Sequence, residues 1–164
     1  MNALGSSRRW SAPALLVALF SLACGPILMF SGGHLSGEEG TWPADLQRTA
    51  EIEEIQLETR PGDPHSVNIW VVVVDGNAYV ATSLLLGPEV PDEREWVRNV
   101  AANPDVRVRI EGVVYPARLE VLDDEPLKSR LIEAYVAKYP QLDQARGEAA
   151  RFYRIVNRNG AKTP

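Results

Sequence analysis

The segment of residues 82–109, TSLLLGPEVPDEREWVRNVAANPDVRVR, constrains the fold most, because it predicts a strand end, a loop, a short helix and a new strand. Asp92 and Glu95 have the spacing of an N-cap side chain and a carboxylate that returns to the free amides of a first helical turn. The apolar residues of this helix recur on one face, and they are Trp96, Val97, Val100 and Ala101. Asn103-Pro104 ends the helix, since proline disfavours helical geometry in the residue before it. Alternating apolar and polar residues then predict a return to a sheet.

The rest of residues 42–158 consists mostly of predicted strands. These strands cover residues 52–59, 67–74, 78–83, 106–110, 113–122 and 151–156. Asp75-Gly76 is a dipeptide that favours a tight type I′ hairpin, so the strands on either side of it should pair antiparallel. Residues 126–139 carry apolar side chains at helical spacing. Six strands and two or three helices, without a βαβ repeat, predict a mainly β fold: a six-stranded antiparallel barrel, closed or partly closed.

Residues 1–24 have the plan of a secretory signal, with two arginines, an apolar run and small residues before a cysteine. Cys24 is the only cysteine of the chain, and the preceding Ser21-Leu22-Ala23 resembles a bacterial lipoprotein cleavage box. We expect Cys24 to carry a lipid that holds the domain at the cell envelope, outside the cytoplasm. Two alternatives stay open: an uncleaved membrane anchor, because the apolar run approaches the ~20 residues that span a bilayer, and cleaved soluble export.

Composition limits the partners of the remaining chain. Residues 25–41 are rich in glycine and predict a flexible tether to the domain at 42–158, which a short tail at 159–164 follows. The full chain of 164 residues has a formal net charge of −5, which disfavours a nucleic-acid binder, because such a protein needs a concentrated positive surface. His34 and His65, the only histidines, show no metal-ligand spacing with the cysteine, and we therefore expect no metal site.

The strand, loop and helix order resembles the split β-barrel flavin-binding superfamily, which includes pyridoxamine-phosphate oxidases and deazaflavin-dependent nitroreductases. The resemblance covers residues 42–158 and rests on VNIWVVVVDGNAYVATS, EWVRNVAANPDVRVRI and AYVAKYP. In that superfamily a strand ending in Thr-Ser or Thr-Asn precedes a loop and a helix that ends in Asn-Pro. Thr82-Ser83 and Asn103-Pro104 match this frame.

The resemblance implies an oxidoreductase that uses FMN or a deazaflavin coenzyme to reduce a small electron-accepting substrate. The coenzyme would supply the hydride or electron chemistry, while the protein would supply orientation and electrostatics. The phosphate or polyanionic tail would lie near the start of the helix, and a homodimer is expected. The cofactor-binding candidates carried over in this way are Arg60, Trp70, Thr82, Ser83, Arg94, Trp96, Arg98 and Asn99.

The loop before the helix departs from the pattern of the oxidases, which place Arg and Lys there to hold a phosphate. Here residues 87–93 read GPEVPDE, and their carboxylates would repel a phosphate. A second hypothesis is therefore a non-catalytic, envelope-tethered binding module that keeps the barrel and has a degenerate coenzyme site. Structural alternatives also apply to the candidates: core packing for Trp70 and Trp96, and a solvated helix surface for Arg98 and Asn99.

Overall fold

The computed structural model describes residues 32–82, 94–142 and 150–159. Its strands are β1 Glu38–Glu39, β2 Glu54–Thr59, β3 His65–Val74, β4 Asn77–Ala81, β5 Asp105–Ile110, β6 Val113–Val121 and β7 Phe152–Asn157. Its helices are a 3-10 helix at Gln47–Glu51, α1 at Glu95–Ala102 and α2 at Glu125–Lys138. Strands β6, β5, β2, β3, β4 and β7 are successive antiparallel neighbours, and β7 pairs with β6. The predicted six-stranded antiparallel barrel is confirmed, and β1 is an additional strand at its edge.

Two tight turns connect neighbouring barrel strands. Asp75 and Gly76 join β3 to β4 with φ angles of 51° and 73°, and Glu111 and Gly112 join β5 to β6 with 49° and 87°. Positive φ at both central residues is the geometry of a type I′ turn, whose twist matches that of the paired strands. The predicted hairpin at Asp75-Gly76 is therefore confirmed, and Glu111-Gly112 forms a second hairpin of the same kind.

The barrel interior is filled by alternate side chains of its strands, as the period of two requires. Fully buried examples from β2, β3, β4, β5 and β7 are Leu57, Val71, Val80, Val108 and Ile155. Helix α1 adds Trp96, Val97 and Val100 to this cluster. Ala101, which we expected on the same face, is exposed. The apolar face of α1 is thus narrower than predicted.

Helix α2 covers the outer face of β3, β4 and β7. Asp124 caps this helix by accepting a hydrogen bond from the Leu127 backbone N–H at 3.0 Å. Leu131, Ile132 and Tyr135 of α2 form a second apolar cluster with outward-facing residues of the three strands, which include Val72, Tyr79 and Phe152. The barrel therefore has one core inside and a second core beneath α2.

Residues 32–40, which the sequence assigns to the flexible tether, lie against the outer face of the barrel. Gly32 bridges to Ser66 of β3, Leu35 is buried, and β1 pairs in parallel with the start of β6. We call residues 32–40 the N-terminal strap. The sequence of the strap shows no hydrophobic period, because many of its contacts with the barrel are made by backbone groups. For example, the Gly40 N–H donates a hydrogen bond to the Val114 carbonyl at 2.9 Å.

A buried ion pair lies beneath the strap. The Glu58 side chain of β2 is only 2% exposed, and its carboxylate accepts hydrogen bonds from the Leu35 backbone N–H and from Arg107 of β5 at 3.1 Å. His34 lies 3.4 Å from the same carboxylate. The other terminal nitrogen of Arg107 lies 3.2 Å from Glu39 of β1. The strap thus provides both a cover and hydrogen-bond partners for charges that would otherwise face water.

The beginning of α1 differs from the prediction. The N-cap is Arg94, without a capping side-chain hydrogen bond, whereas the predicted N-cap Asp92 lies outside the described residues. The carboxylate of Glu95 does not return to the helix start as a capping box requires, because it contacts two side chains of the barrel. Strand β4 ends at Ala81, and Ser83 also lies outside the described residues. The helix ends at Ala102 with Asn103 as its C-cap, which confirms the predicted stop at Asn103-Pro104.

Candidate functional site

The turn after β2 places a cation beside the first residue of α1. Arg60 follows β2 directly and has a φ of 56°, a conformation that turns the chain sharply. One terminal nitrogen of its guanidinium lies 3.2 Å from the Glu95 carboxylate and 3.4 Å from that of Asp63. The Nε atom of Arg60 is buried, and it has no hydrogen-bond partner among the described residues. A buried donor without an acceptor is unusual, since leaving it unpaired costs about 1–3 kcal/mol.

The other oxygen of the Glu95 carboxylate faces a histidine. The Nδ1 atom of His65, at the start of β3, lies 3.6 Å from it, and the His65 side chain is 8% exposed whereas that of Glu95 is 46% exposed. A single carboxylate therefore bridges two nitrogen groups on either side of one turn. It does so at the N-terminal end of α1, where the helix dipole favours negative charge.

A chain of hydrogen bonds fixes α1 to the same end of the barrel. The amide nitrogen of Asn99 donates to the Thr59 hydroxyl at 2.9 Å, and that hydroxyl donates to the His65 carbonyl at 3.2 Å. Thr59 is fully buried, and Asn99 is half-buried one turn after Glu95. We call Arg60, His65, Glu95 and Asn99 the α1 cluster, with Thr59 as its buried support.

The other candidates on α1 have different surroundings. Trp96 is 6% exposed, and its ring packs edge to face on Tyr153 with centroids 5.5 Å apart. Trp96 therefore lies in the interior core, in agreement with the alternative that this residue serves core packing. Arg94 caps the helix and is half-buried, while Arg98 is exposed on the helix surface.

Trp70 lies far from the α1 cluster. It follows His65 on β3 by five residues, about 16 Å along a strand, and it faces outward beneath α2. Its ring stacks on Tyr139 at 4.4 Å with an angle of 5° between the planes. Its backbone carbonyl accepts a hydrogen bond from the Tyr135 hydroxyl at 3.1 Å. The second core therefore holds Trp70, and the structure does not bring it together with the candidates on α1.

Polar groups at the end of α2 bind the backbone of the barrel. The Lys138 ammonium donates to the carbonyls of Ile52 and Val71 at 2.6 and 2.8 Å. Burial lowers the pKa of Lys138, and it raises the pKa of Tyr135 and of Tyr139. These shifts come mainly from desolvation by the helix and barrel, so they reflect packing.

Thr82 supports the end of β4. It is fully buried, and its hydroxyl accepts a hydrogen bond from the Arg151 backbone N–H at 2.9 Å. Its own N–H donates to the Arg151 carbonyl at 3.0 Å. The contacts that the structure gives Thr82 therefore tie β4 to the segment that enters β7.

Sequence reasoning missed three members of this region, namely Thr59, His65 and the role of Glu95. Thr59 had a detectable signal, because it continues the inward alternation of Ile55 and Leu57 with a hydroxyl in place of an apolar side chain. His65 and Glu95 had none, since their contacts join residues 30 positions apart along the chain.

Comparison with known proteins places the chain in a family. The model of the family described as "Uncharacterized protein conserved in bacteria (DUF2255)" matches residues 45–155, which is more than half of the sequence. The chain belongs to this family. The match covers the barrel and both α-helices, and it leaves out the strap. No curated protein matches the sequence.

Several solved structures are similar to this DUF2255 member. A conserved hypothetical protein of Mycobacterium tuberculosis is 19% identical with a TM-score of 0.53, over 67% of this chain and 76% of that one. A Listeria innocua protein assigned as a pyridoxamine 5′-phosphate oxidase is 20% identical with a TM-score of 0.49, over 65% and 84%. An F420-H2-dependent reductase is 21% identical with a TM-score of 0.49, over 63% and 94%. The predicted split-barrel fold is confirmed, and identities this low concern the fold alone.

The chemistry that the α1 cluster offers is recognition of an anion. Arg60 and Asn99 are hydrogen-bond donors, His65 presents a ring nitrogen, and Arg60 and His65 lie beside the start of α1, where the helix dipole favours an anion. Within residues 32–82, 94–142 and 150–159, no group of three histidine, cysteine or acidic side chains could hold a metal ion. Those same ranges contain no helix long and apolar enough to cross a membrane.

Proposed function

We propose that this protein is an oxidoreductase that binds FMN or a deazaflavin and reduces a small electron-accepting substrate outside the cytoplasm. The observation that carries the proposal is the α1 cluster, in which two candidates from the sequence, Arg60 and Asn99, lie at the same end of the barrel. The unpartnered Nε of Arg60 supports it, because a buried guanidinium donor at a site rich in donors suits an anionic ligand. The split-barrel fold agrees with this reading.

The residues of the cluster fit the anionic part of such a coenzyme. Arg60 would hold a phosphate or carboxylate of the tail by charge-assisted hydrogen bonds, and the first turn of α1 would add backbone donors. Asn99, fixed by Thr59, would offer a neutral amide of defined position. The bound coenzyme would supply hydride or electron transfer, while the protein would place it and exclude water from it.

The proposal is tested by coenzyme titration of a soluble form beginning at Gly25, which retains the strap and omits the signal segment. We expect FMN or the deazaflavin to bind at micromolar concentration, seen as a change in flavin absorbance and fluorescence. Arg60→Gln should weaken binding by about tenfold, which matches the loss of one charge-assisted hydrogen bond. Arg118→Gln is the matched control, because Arg118 also pairs with a carboxylate, at 2.7 Å from Asp105, outside the α1 cluster. Failure of both coenzymes to bind at micromolar concentration would overturn the proposal.

A second candidate function has its own supporting observation. The Glu95 carboxylate already neutralises Arg60 and faces His65, as it would in a barrel that has lost its coenzyme. In that case the protein is a non-catalytic binding module at the cell envelope. The acidic residues 87–93, which motivate the same reading, lie outside the described residues. A stoichiometric flavin spectrum in the protein as isolated would refute this candidate.

The location and assembly of the protein are further parts of the proposal. We propose that Cys24 is lipidated and that a homodimer forms, the first from the signal-like segment and the second from the family resemblance. Labelling with a radioactive fatty acid should mark the wild-type protein and leave Cys24→Ala unlabelled. Membrane association of Cys24→Ala without a label would indicate the uncleaved anchor, and its release would agree with lipidation. A monomer in sedimentation would refute the dimer.

A further inference from the structure

We propose that Glu95 is an internal competitor for the anion site of the α1 cluster, so that its carboxylate weakens the binding of flavins that carry a phosphate. This inference rests on the proposed function. The proposed function has a phosphate of the coenzyme bind Arg60 at the start of α1, and the Glu95 carboxylate already pairs with Arg60 there at 3.2 Å. Glu95 is therefore the specificity-determining residue of the site.

The geometry of the carboxylate is that of a ligand. Its two oxygens contact different partners: Oε1 lies 3.2 Å from a terminal nitrogen of Arg60, and Oε2 lies 3.6 Å from the Nδ1 of His65. Glu95 is also the first residue of α1, where the helix dipole favours an anion. A phosphate uses the same partners, since it too presents several oxygens to separate donors.

Two further observations indicate that the site is built for more than this carboxylate. The Nε of Arg60 is buried and has no hydrogen-bond partner among the described residues, so one donor of the guanidinium that pairs with Glu95 is unused. The supporting side chains are firmly placed, because His65 is nearly buried and Asn99 bonds to the fully buried Thr59. Donors with fixed positions and one unmet bond suit a ligand with more acceptor oxygens than a carboxylate has.

Glu95 can leave the site without disturbing the core. Its side chain is 46% exposed, and ion pairs of that exposure contribute little to stability. A phosphate must nevertheless displace it or accept a negative charge about 4 Å away, which weakens binding by Coulomb repulsion. A flavin without a phosphate has no charge there, so the Glu95 carboxylate does not repel it.

The experiment compares FMN with riboflavin, which differ only in the phosphate. The quantities to be measured are the dissociation constants of both flavins for the wild type, Glu95→Gln and Glu120→Gln. Glu120 is the matched control: it is 39% exposed, and it pairs with Arg154 at 2.6 Å on the barrel surface. We expect Glu95→Gln to bind FMN about tenfold more tightly, with riboflavin unchanged within about twofold. Glu120→Gln should change neither constant.

Two results would overturn the inference. One is an FMN-to-riboflavin ratio that Glu95→Gln leaves unchanged, and the other is an equal shift of that ratio in Glu120→Gln, which would show a general effect of net charge. Glu95→Ala should shift the ratio in the same direction. This variant removes the carboxylate without adding an amide, so it shows that the shift does not depend on the glutamine side chain.

A separate arm distinguishes failure of this inference from failure of the proposed function. If neither flavin binds any form of the protein, the proposed coenzyme is wrong, and inorganic phosphate alone then tests the anion site. The side-chain amide signals of Asn99 should shift in Glu95→Gln at about tenfold lower phosphate concentration than in the wild type. Identical phosphate titrations of the two proteins would overturn the competition by Glu95.

Discussion

Replacing Glu58 by glutamine tests whether the N-terminal strap is held by a buried ion pair. Glu58 is 2% exposed, and its carboxylate is bonded by the Leu35 N–H and by Arg107, which is 17% exposed. Glutamine keeps the size and one acceptor oxygen, while two donor groups, the Leu35 N–H and the Arg107 guanidinium, lose their charged acceptor. At about 1 kcal/mol for each, with a further cost when the new amide nitrogen faces a donor, we expect a loss of about 2–3 kcal/mol.

The assay is urea unfolding followed by circular dichroism, with a thermal melt as a second measure. For a domain of this size, 2–3 kcal/mol corresponds to a fall in Tm of about 10 °C. Glu120→Gln serves again as the control, because Glu120 and Arg154 form a similar pair across β6 and β7. That pair is 39% and 44% exposed, and its loss should cost at most about 1 kcal/mol.

The comparison isolates burial beneath the strap, since both pairs join a glutamate and an arginine directly across neighbouring strands. Equal losses of stability in Glu58→Gln and Glu120→Gln would refute the reasoning. So would a cost below about 0.5 kcal/mol for Glu58→Gln, which is the usual scale of a surface substitution.

Three other predictions concern the second core. Trp70→Phe should leave coenzyme affinity unchanged in the same titration, because Trp70 stacks beneath α2; a tenfold weakening would contradict this placement. Burial raises the pKa of Tyr135, so its stabilising effect is complete below its ordinary value of 10.0 and is lost as the pH rises beyond it. Urea unfolding at pH 8 to 11 should show a shallower alkaline loss of stability for Tyr135→Phe than for the wild type, and parallel curves would disprove it. Lys138, whose lowered pKa acts in the opposite sense, is present in both proteins and affects both curves alike. Leu131→Ala should cost about 3 kcal/mol in urea unfolding, whereas Val121→Ala, at a side chain 55% exposed, should cost little; similar costs would argue against the placement of α2.

Local chemistry accounts for the elements that could be predicted from the sequence. The turn at Asp75-Gly76 follows from the backbone preferences of that dipeptide, and the helix end before Asn103 follows from the proline after it. Alternating apolar residues located the barrel strands, because a strand with one buried face must repeat every two residues. Of the α1 cluster, Arg60 and Asn99 came from family resemblance.

The remaining features depend on contacts between residues that are distant in the chain. The sequence predicts that the strap belongs to a flexible tether, because it contains no apolar period. Its docking uses backbone hydrogen bonds and a carboxylate of β2, and such contacts leave no period in the sequence of the strap. Trp70 and Trp96 looked alike as candidates, and only the closing of the barrel places one under α2 and the other inside.

The sequence by itself therefore determined the strands, the turns and the barrel, since these depend on residues close together in the chain. The tertiary structure decided which side chains share a site. It placed Glu95 against Arg60 and His65, three residues of the 82–109 and 60–65 segments that no local pattern connects. The physical reason is that charge and hydrogen-bond partners are chosen by distance in space, and the folded barrel sets that distance.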